Sequence, residues 1–304
     1  MRAFVVIVGL ALVASSAACT RHVPSQPASE LREPGAPSVT VATAADAADG
    51  DASDGGDGGD GRALAGYPEL LELLDGKEKL GFVSVPLGAR EPRPIMIAIH
   101  GGSEKPEVAC RAWRAITEGF PFLVCPRGFG GRESALGWRS TSDTASRIAR
   151  AVAATKATFG SGIMETTSMV LAGFSMGGSQ VALLARSDPK TYRRIVIGDS
   201  AHDPHPALTF SRVWAREGGE RVVFLCTTSG CEPSMRAAAR NVATLGVPAR
   251  LNIAATQVHG LSERAGSSMR RDLPWVVEGA PGWERYSPSV DASLPGKTET
   301  FAPK

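Results

Sequence analysis

The sequence is poor in the residues that most often carry metal and redox chemistry, and it lacks a long hydrophobic run. Its 304 residues include 5 His and 5 Cys. No Cys-x-x-Cys pair or Cys/His spacing indicates a zinc site. No block of Lys or Arg is interleaved with aromatic residues, which argues against nucleic-acid binding. The apolar run at the N-terminus, residues 4–14, is too short to cross a membrane comfortably.

What is present is the composition of a globular domain. Hydrophobic residues make up 43% of the chain, enough for a sizeable core, and the net charge is only +2. The chain shows no internal repeat, and no insertion is long enough to form a separate lid domain. These features favour a single globular domain.

The N-terminus has the pattern of an export signal. Arg2 precedes the apolar run, and small residues lead to Cys19. This resembles a bacterial lipoprotein signal, which implies that residues 1–19 are a signal peptide and that Cys19 is lipidated, although Ser16 stands where Leu is commoner. We therefore expect an exported protein of the bacterial cell envelope, anchored to the membrane by lipid. Plain secretion and a retained signal anchor are the alternatives.

Residues 20–61 are rich in Pro, Ala, Ser, Gly and Asp and have almost no large apolar side chains. Such a segment cannot bury enough surface to offset the entropy of ordering, so we expect a disordered tether. Its stretch "DGDASDGGDGGDG" has closely spaced carboxylates that suit calcium. The EF-hand pattern fails, however, because Asp54 and Asp60 occupy the positions of its Gly and its Glu.

Cysteine numbers agree with export. If Cys19 carries lipid, four cysteines remain, and an even number in an exported protein allows two disulfides. We favour the pairs Cys110 with Cys125 and Cys226 with Cys231, because each closes a short loop near neighbouring elements. Buried free thiols are the alternative.

Beyond about residue 80, short apolar stretches alternate with helical patterns. Strands are predicted at residues 82–86, 95–99, 120–125, 168–172, 194–197, 222–226 and 250–254, and helices at residues 107–118, 142–159, 177–186, 234–245 and 263–277. This alternation predicts an α/β domain with one doubly wound, mostly parallel sheet. We place it at residues 62–285, followed by a C-terminal tail at 286–304.

One glycine-rich stretch raises the question of catalysis. In "LAGFSMGG", Ser175 lies between a predicted strand and a predicted helix. The motif Gly-x-Ser-x-Gly decides little alone, and a serine needs a positioned base to become a nucleophile. Of the five histidines, His259 in "QVHGLSE" is the best candidate, because it follows the last predicted strand. A structural loop histidine is the alternative.

Three stretches together resemble the α/β-hydrolase superfamily, particularly compact esterases related to dienelactone hydrolases and polyhydroxyalkanoate depolymerases. They are "IMIAIHGG" (95–102), "LAGFSMGG" (171–178) and "VHG" (258–260). The resemblance implies a serine at a strand-to-helix elbow, a triad in the chain order serine, acid, histidine, an ester substrate and no cofactor.

That order places the acid between Ser175 and His259. We predict Glu232, since it follows the strand before the last one, where this superfamily usually places its acid. Asp199, after the preceding strand, is the alternative acid, and Asp203 is a further one. A disulfide between Cys226 and Cys231 would then hold the loop that presents Glu232.

The resemblance also implies an oxyanion hole formed by the backbone amides of Gly102 and Met176. His100 precedes the serine in the chain, so we interpret it as a structural residue that orders this loop. Arg127, Arg132 and Trp138 are either walls of a substrate pocket or ordinary loop residues.

The histidines and carboxylates of "GDSAHDPHP" (Asp199, His202, Asp203 and His205) have ligand types that a transition metal accepts. The simpler interpretation is a polar rim of the active site, and we predict no metal. The sequence thus predicts an exported serine hydrolase of carboxylic esters with a small-molecule or polymer substrate. A serine peptidase and a non-catalytic binding lipoprotein on the same scaffold are the alternatives.

Overall fold

The computed structural model describes residues 64–130, 136–200, 209–290, 293 and 296–304. Several residues named above lie outside this part of the chain: residues 1–19 with Cys19, residues 20–61, Arg132, His202, Asp203 and His205. Within it, no helix is both long enough and apolar enough to cross a membrane.

The described residues form nine strands and six α-helices. The strands are β1 (Leu70–Asp75), β2 (Glu78–Ser84), β3 (Arg93–Ile99), β4 (Phe122–Pro126), β5 (Met164–Phe174), β6 (Arg194–Gly198), β7 (Arg221–Cys226), β8 (Ala249–Ile253) and β9 (Lys297–Phe301). The helices are α1 (Pro106–Thr117), α2 (Thr141–Phe159), α3 (Met176–Ser187), α4 (Ser211–Glu217), α5 (Glu232–Thr244) and α6 (Glu263–Val277), and a 3₁₀ turn spans Ser161–Ile163.

All nine strands join one sheet in the order β1-β2-β4-β3-β5-β6-β7-β8-β9. Strands β4, β3, β5, β6, β7 and β8 are mutually parallel, whereas the β1/β2, β2/β4 and β8/β9 pairs are antiparallel. The mostly parallel sheet predicted from the sequence is therefore confirmed. Its consequence for the site is that six strands end at the same edge of the sheet.

Side-chain alternation explains why both faces of the sheet are covered. In β3, Ile95, Ile97 and Ile99 belong to one buried layer, whereas Met96 and Ala98 belong to the other. Helices α2, α3, α4 and α5 cover the first face, and α1 and α6 cover the second. Continuous apolar strands of this kind are typical of parallel sheets that are buried on both sides.

Both predicted disulfides are present. Cys110 in α1 is bonded to Cys125 in β4, and Cys226 at the end of β7 is bonded to Cys231 just before α5. The Cα atoms are 5.6 Å apart in each pair, within the usual range for a disulfide. The first bond fixes a covering helix to the sheet, and the second closes a six-residue segment at the edge where the parallel strands end.

The C-terminal segment differs from the expectation of a tail. Residues 297–301 form β9, which pairs with β8 and extends the sheet. Polar contacts hold this strand in place: Thr298 Oγ1 donates to the buried carboxylate of Asp272, and Arg236 of α5 donates to Glu299. Part of the segment that we expected to be a C-terminal tail, residues 286–304, therefore forms an edge strand of the sheet.

Candidate active site

Ser175 lies at a sharp turn between β5 and α3. Its backbone has φ 55° and ψ −123°, a conformation that residues other than glycine rarely adopt. The turn is possible because its neighbours are glycines: a Cβ on Gly177 would overlap the Ile99 carbonyl oxygen, and one on Gly173 would lie 2.5 Å from the Gly177 carbonyl carbon. The amide of Ser175 donates to Gly198 O at 2.8 Å, which links the turn to β6. The sequence motif thus produces a strand-to-helix elbow.

His259 lies on the loop between β8 and α6, residues 254–262, which we call the histidine loop. Its Nδ1 is 3.2 Å from Oδ2 of Asp199. Its ring is 5.0 Å, centroid to centroid, from that of Phe174, the residue directly before Ser175. The structure therefore brings together the elbow after β5, Asp199 after β6 and His259 after β8.

Asp199 is buried, with 1% of its surface exposed, and its carboxylate accepts several hydrogen bonds. Thr227 Oγ1 donates to Oδ2, and Thr228 Oγ1 donates to Oδ1 at 3.3 Å. The Asp199 amide donates to Leu225 O at 2.7 Å, which fixes the backbone against β7. Burying a carboxylate costs free energy unless donors pair with it, so these hydrogen bonds determine the position of the Asp199 side chain.

Glu232, the acid preferred from the sequence, does not occupy this position. It is the first residue of α5, and its Oε2 accepts a hydrogen bond from Arg236, one helical turn later, at 3.3 Å. Asp199 instead faces Nδ1 of His259. The physical reason is the path of the chain: the segment closed by the second disulfide turns directly into α5 and directs Glu232 along that helix. We correct the acid partner of His259 to Asp199, the alternative.

The segment between β3 and α1, residues 100–105, has two of its amides engaged beside Ser175. We call it the oxyanion loop. Gly101 N donates to Glu104 Oε2 and Ser103 N donates to Leu136 O, each at 2.7 Å. The Gly102 amide between them and the Met176 amide at the start of α3 have no acceptor among the described residues. The two predicted donor residues are also close together, since a Cβ on Gly102 would lie 3.0 Å from Met176 Cε.

His100 holds the base of the oxyanion loop from inside the protein. Its Nδ1 lies 2.6 Å from Gly101 O, and its Nε2 accepts the Gly128 amide at 2.9 Å, so Nδ1 is the protonated nitrogen. Burial lowers the pKa of His100 to about 4, which keeps the ring neutral near pH 7. Trp138 completes this arrangement by donating from Nε1 to His100 O at 2.9 Å. Trp138 thus fixes the first residue of the oxyanion loop through its backbone carbonyl.

Glu104 was missed by the sequence reasoning. Its carboxylate is partly buried, and burial raises its pKa above the ordinary value, although the Gly101 amide and His259 both favour the charged form. It is therefore a second carboxylate within electrostatic reach of the histidine. The signal that would have indicated it is its place four residues after His100 in "HGGSE", the one acid in that segment.

Two further features bear on ligands. Within the described ranges, no group of three His, Cys, Asp or Glu side chains has the arrangement of a metal site. A cavity of about 530 Å³ has Arg127, Phe129 and Arg147 among its lining residues. Gly128, whose amide donates to His100, also lines this cavity. Ser175 is not among the lining residues.

Comparison with known proteins supplies structural relatives only. No protein-family model and no curated protein matches the chain. Est1E from Butyrivibrio proteoclasticus, solved with ferulic acid bound, is 14% identical, with a TM-score of 0.51 over 68% of this chain and 99% of that one. Native pOPH is 11% identical, with a TM-score of 0.52 over 80% of this chain and 98% of that one. At such low sequence identities the similarity shows the fold alone, and it confirms the predicted α/β fold class.

Proposed function

We propose that this chain, whose fold is that of the α/β-hydrolases, is a serine hydrolase that cleaves carboxylic esters through an acyl-enzyme intermediate. One observation carries the proposal: the strained elbow of Ser175 adjoins Phe174, whose ring packs on His259 of a His–Asp pair, and two nearby backbone amides have no acceptor among the described residues. Nucleophile, base, acid and oxyanion donors are the parts that acyl transfer needs, and they come from four different loops.

The chemistry follows from these positions. Ser175 Oγ attacks the ester carbonyl carbon while His259 Nε2 accepts the hydroxyl proton, and the carbonyl electrons move to the oxygen. The amides of Gly102 and Met176 donate to that oxyanion, and the positive end of the α3 dipole stabilises it further. Collapse breaks the bond to the alcohol, which leaves with the proton from His259. Water then repeats the sequence on the acyl-enzyme and releases the acid.

Asp199 has a defined part in this scheme. By accepting a hydrogen bond from Nδ1–H, it holds His259 in the tautomer whose Nε2 accepts the serine proton, and it stabilises the imidazolium that forms. The proposed triad is therefore Ser175, His259 and Asp199. No residue of the scheme requires a cofactor.

The proposal is tested with a fluorophosphonate probe and short-chain aryl esters. We expect the purified protein to be labelled at Ser175 and Ser175→Ala to lose labelling and at least about 10³-fold in kcat, because no other nucleophile replaces the serine. Ser179, which lies in α3 four residues after Ser175, offers a matched control as Ser179→Ala. Unchanged ester hydrolysis by folded Ser175→Ala, or a parent protein that takes no label, contradicts the proposal.

We also propose that the protein is exported and anchored by lipid at Cys19. Two disulfides support an oxidising location, and the residues before Cys19 support lipidation. Mass spectrometry of the mature N-terminus from the native host tests both statements. We expect a diacylated or triacylated Cys19 as the first residue, whereas an unmodified Cys19 rules out the anchor.

A further inference from the structure

The segment between β7 and α5 forms a small covalent ring. Residues 226–231 are closed by the Cys226–Cys231 disulfide, and we call them the disulfide loop. Both cysteines are fully buried. The loop contacts the histidine loop at its first residue, because Cys226 O accepts the Ala254 amide at 2.9 Å, and near its tip, because the Ser229 amide donates to Gln257 Oε1 at 3.2 Å. It is therefore fixed at two points, its first residue and its tip, against the segment that carries His259.

Thr227 is the residue of this loop that contacts both Asp199 and the histidine loop. Its hydroxyl donates to Oδ2 of Asp199, the same oxygen that lies 3.2 Å from His259 Nδ1. Its carbonyl accepts the Gln257 amide at 2.8 Å and the Thr256 hydroxyl at 3.0 Å. Thr227 is 1% exposed, so water does not readily substitute for these contacts.

The histidine loop needs such support because its backbone is strained. Ala255 and Gln257 have φ of 53° and 57°, in the left-handed region that residues other than glycine rarely occupy. Strained conformations persist only where surrounding contacts determine them, and the Thr227 carbonyl supplies one of those contacts directly to Gln257. The Thr227 hydroxyl likewise gives Oδ2 of the buried Asp199 carboxylate a donor.

We propose that Thr227 is a positioning residue that fixes Asp199 and His259 relative to one another, and that the Cys226–Cys231 disulfide holds Thr227 in place. The inference rests on the proposed function, since it concerns the same acid and base. Thr227 touches neither substrate nor reacting atoms in this scheme. It acts by keeping the carboxylate aligned with Nδ1 and the histidine loop at the matching distance.

The chain provides a matched control in the next residue. Thr228 also donates to Asp199, but at 3.3 Å and to Oδ1, the oxygen that does not face His259. Replacement of either threonine by valine keeps the shape and removes the hydroxyl. A specific role for Thr227 predicts unequal losses, whereas a general need for hydroxyl groups around Asp199 predicts similar ones.

The experiment compares Thr227→Val, Thr227→Ser and Thr228→Val in the oxidised protein. We measure kcat and KM for a short-chain aryl ester and the rate of Ser175 labelling by a fluorophosphonate, each corrected for folded protein by circular dichroism. We expect Thr227→Val to lower kcat and labelling by about 30-fold with KM within about twofold, because misalignment of the base affects the chemical step. Thr227→Ser restores both rates to within about threefold of the parent, and Thr228→Val stays within about threefold.

The outcomes separate the two proposals. If the parent is labelled and folded Thr227→Val keeps its kcat and labelling rate within twofold of the parent, the positioning role is overturned. An equal loss of kcat and labelling rate in Thr228→Val overturns it as well. An unlabelled parent overturns the proposed function itself. Should Thr227→Val not fold, Thr256→Val removes one contact to the Thr227 carbonyl from a partly exposed position. We then expect a fall of about fivefold in the labelling rate, and an unchanged rate overturns the inference.

Discussion

At the residue scale, the two acids considered for the site differ in what surrounds them. Asp199 is buried and faces two threonine hydroxyls and the imidazole of His259. Glu232 is partly exposed and shares Arg236 with Glu299, which lies on β9. Surface ion pairs of this kind contribute little to stability, and their loss does not disturb a distant group. The two carboxylates should therefore respond very differently to neutralisation.

We expect Asp199→Asn to lower kcat by about 10⁴-fold, because an amide favours the wrong tautomer of His259 and does not stabilise its imidazolium. Glu232→Gln should keep kcat within about threefold of the parent. Both values are measured on folded protein with the same aryl ester. Equal small losses would remove both residues from the proposed triad, and a large loss in Glu232→Gln alone would favour Glu232, the acid predicted from the sequence.

At the element scale, seven of the nine described strands could be predicted from the sequence, because the central ones contain short apolar runs bounded by glycines and prolines, whereas β1 and β9 were not predicted. The predicted strand at 222–226 and the observed β7 (Arg221–Cys226) differ by one residue. Strand β9 was missed because its alternating polar residues, "KTETF", resemble a solvent-exposed segment. Helix α4 (Ser211–Glu217) was missed because seven residues give too short a periodic pattern.

The candidate site was predictable where chemistry is encoded locally. The glycines of "GFSMGG" are required by contacts within the elbow, so the sequence motif and the turn correspond. The acid could not be chosen in this way, since Asp199 and Glu232 follow adjacent strands and both satisfy the expected order. Their difference depends on the path of the disulfide loop into α5, which is a tertiary property. Thr227 and Thr228 carry no sequence signal beyond their place after a strand.

At the scale of the whole molecule, buried His100 links folding to pH. Its pKa of about 4 in the folded protein is below its ordinary value, so between those two values the unfolded chain binds a proton that the folded chain does not. The contribution of neutral His100 to the free energy of unfolding is therefore complete above about pH 6.5, and it is lost progressively as the pH falls toward 4. Glu104 acts in the opposite direction, because its raised pKa favours the folded state as the pH falls.

We expect the free energy of unfolding to fall by about 2 kcal/mol between pH 7.5 and pH 5 through His100 alone. His100→Gln keeps a donor and an acceptor but does not titrate, so the difference between parent and variant isolates this contribution from that of Glu104. Urea unfolding followed by tryptophan fluorescence at several pH values gives the measurement. Parallel pH profiles of the two proteins would contradict a neutral, buried His100.

The Cys226–Cys231 disulfide has a practical consequence for the study of this protein. It encloses Thr227 and adjoins the histidine loop, whereas most of the apolar residues that cover the two faces of the sheet lie outside the disulfide loop. A preparation made in a reducing cytosol can thus be folded and monodisperse by the usual criteria and still have a misaligned acid and base. Quantifying free thiols before any assay distinguishes such material from protein with the disulfide intact, and production in an oxidising compartment avoids it.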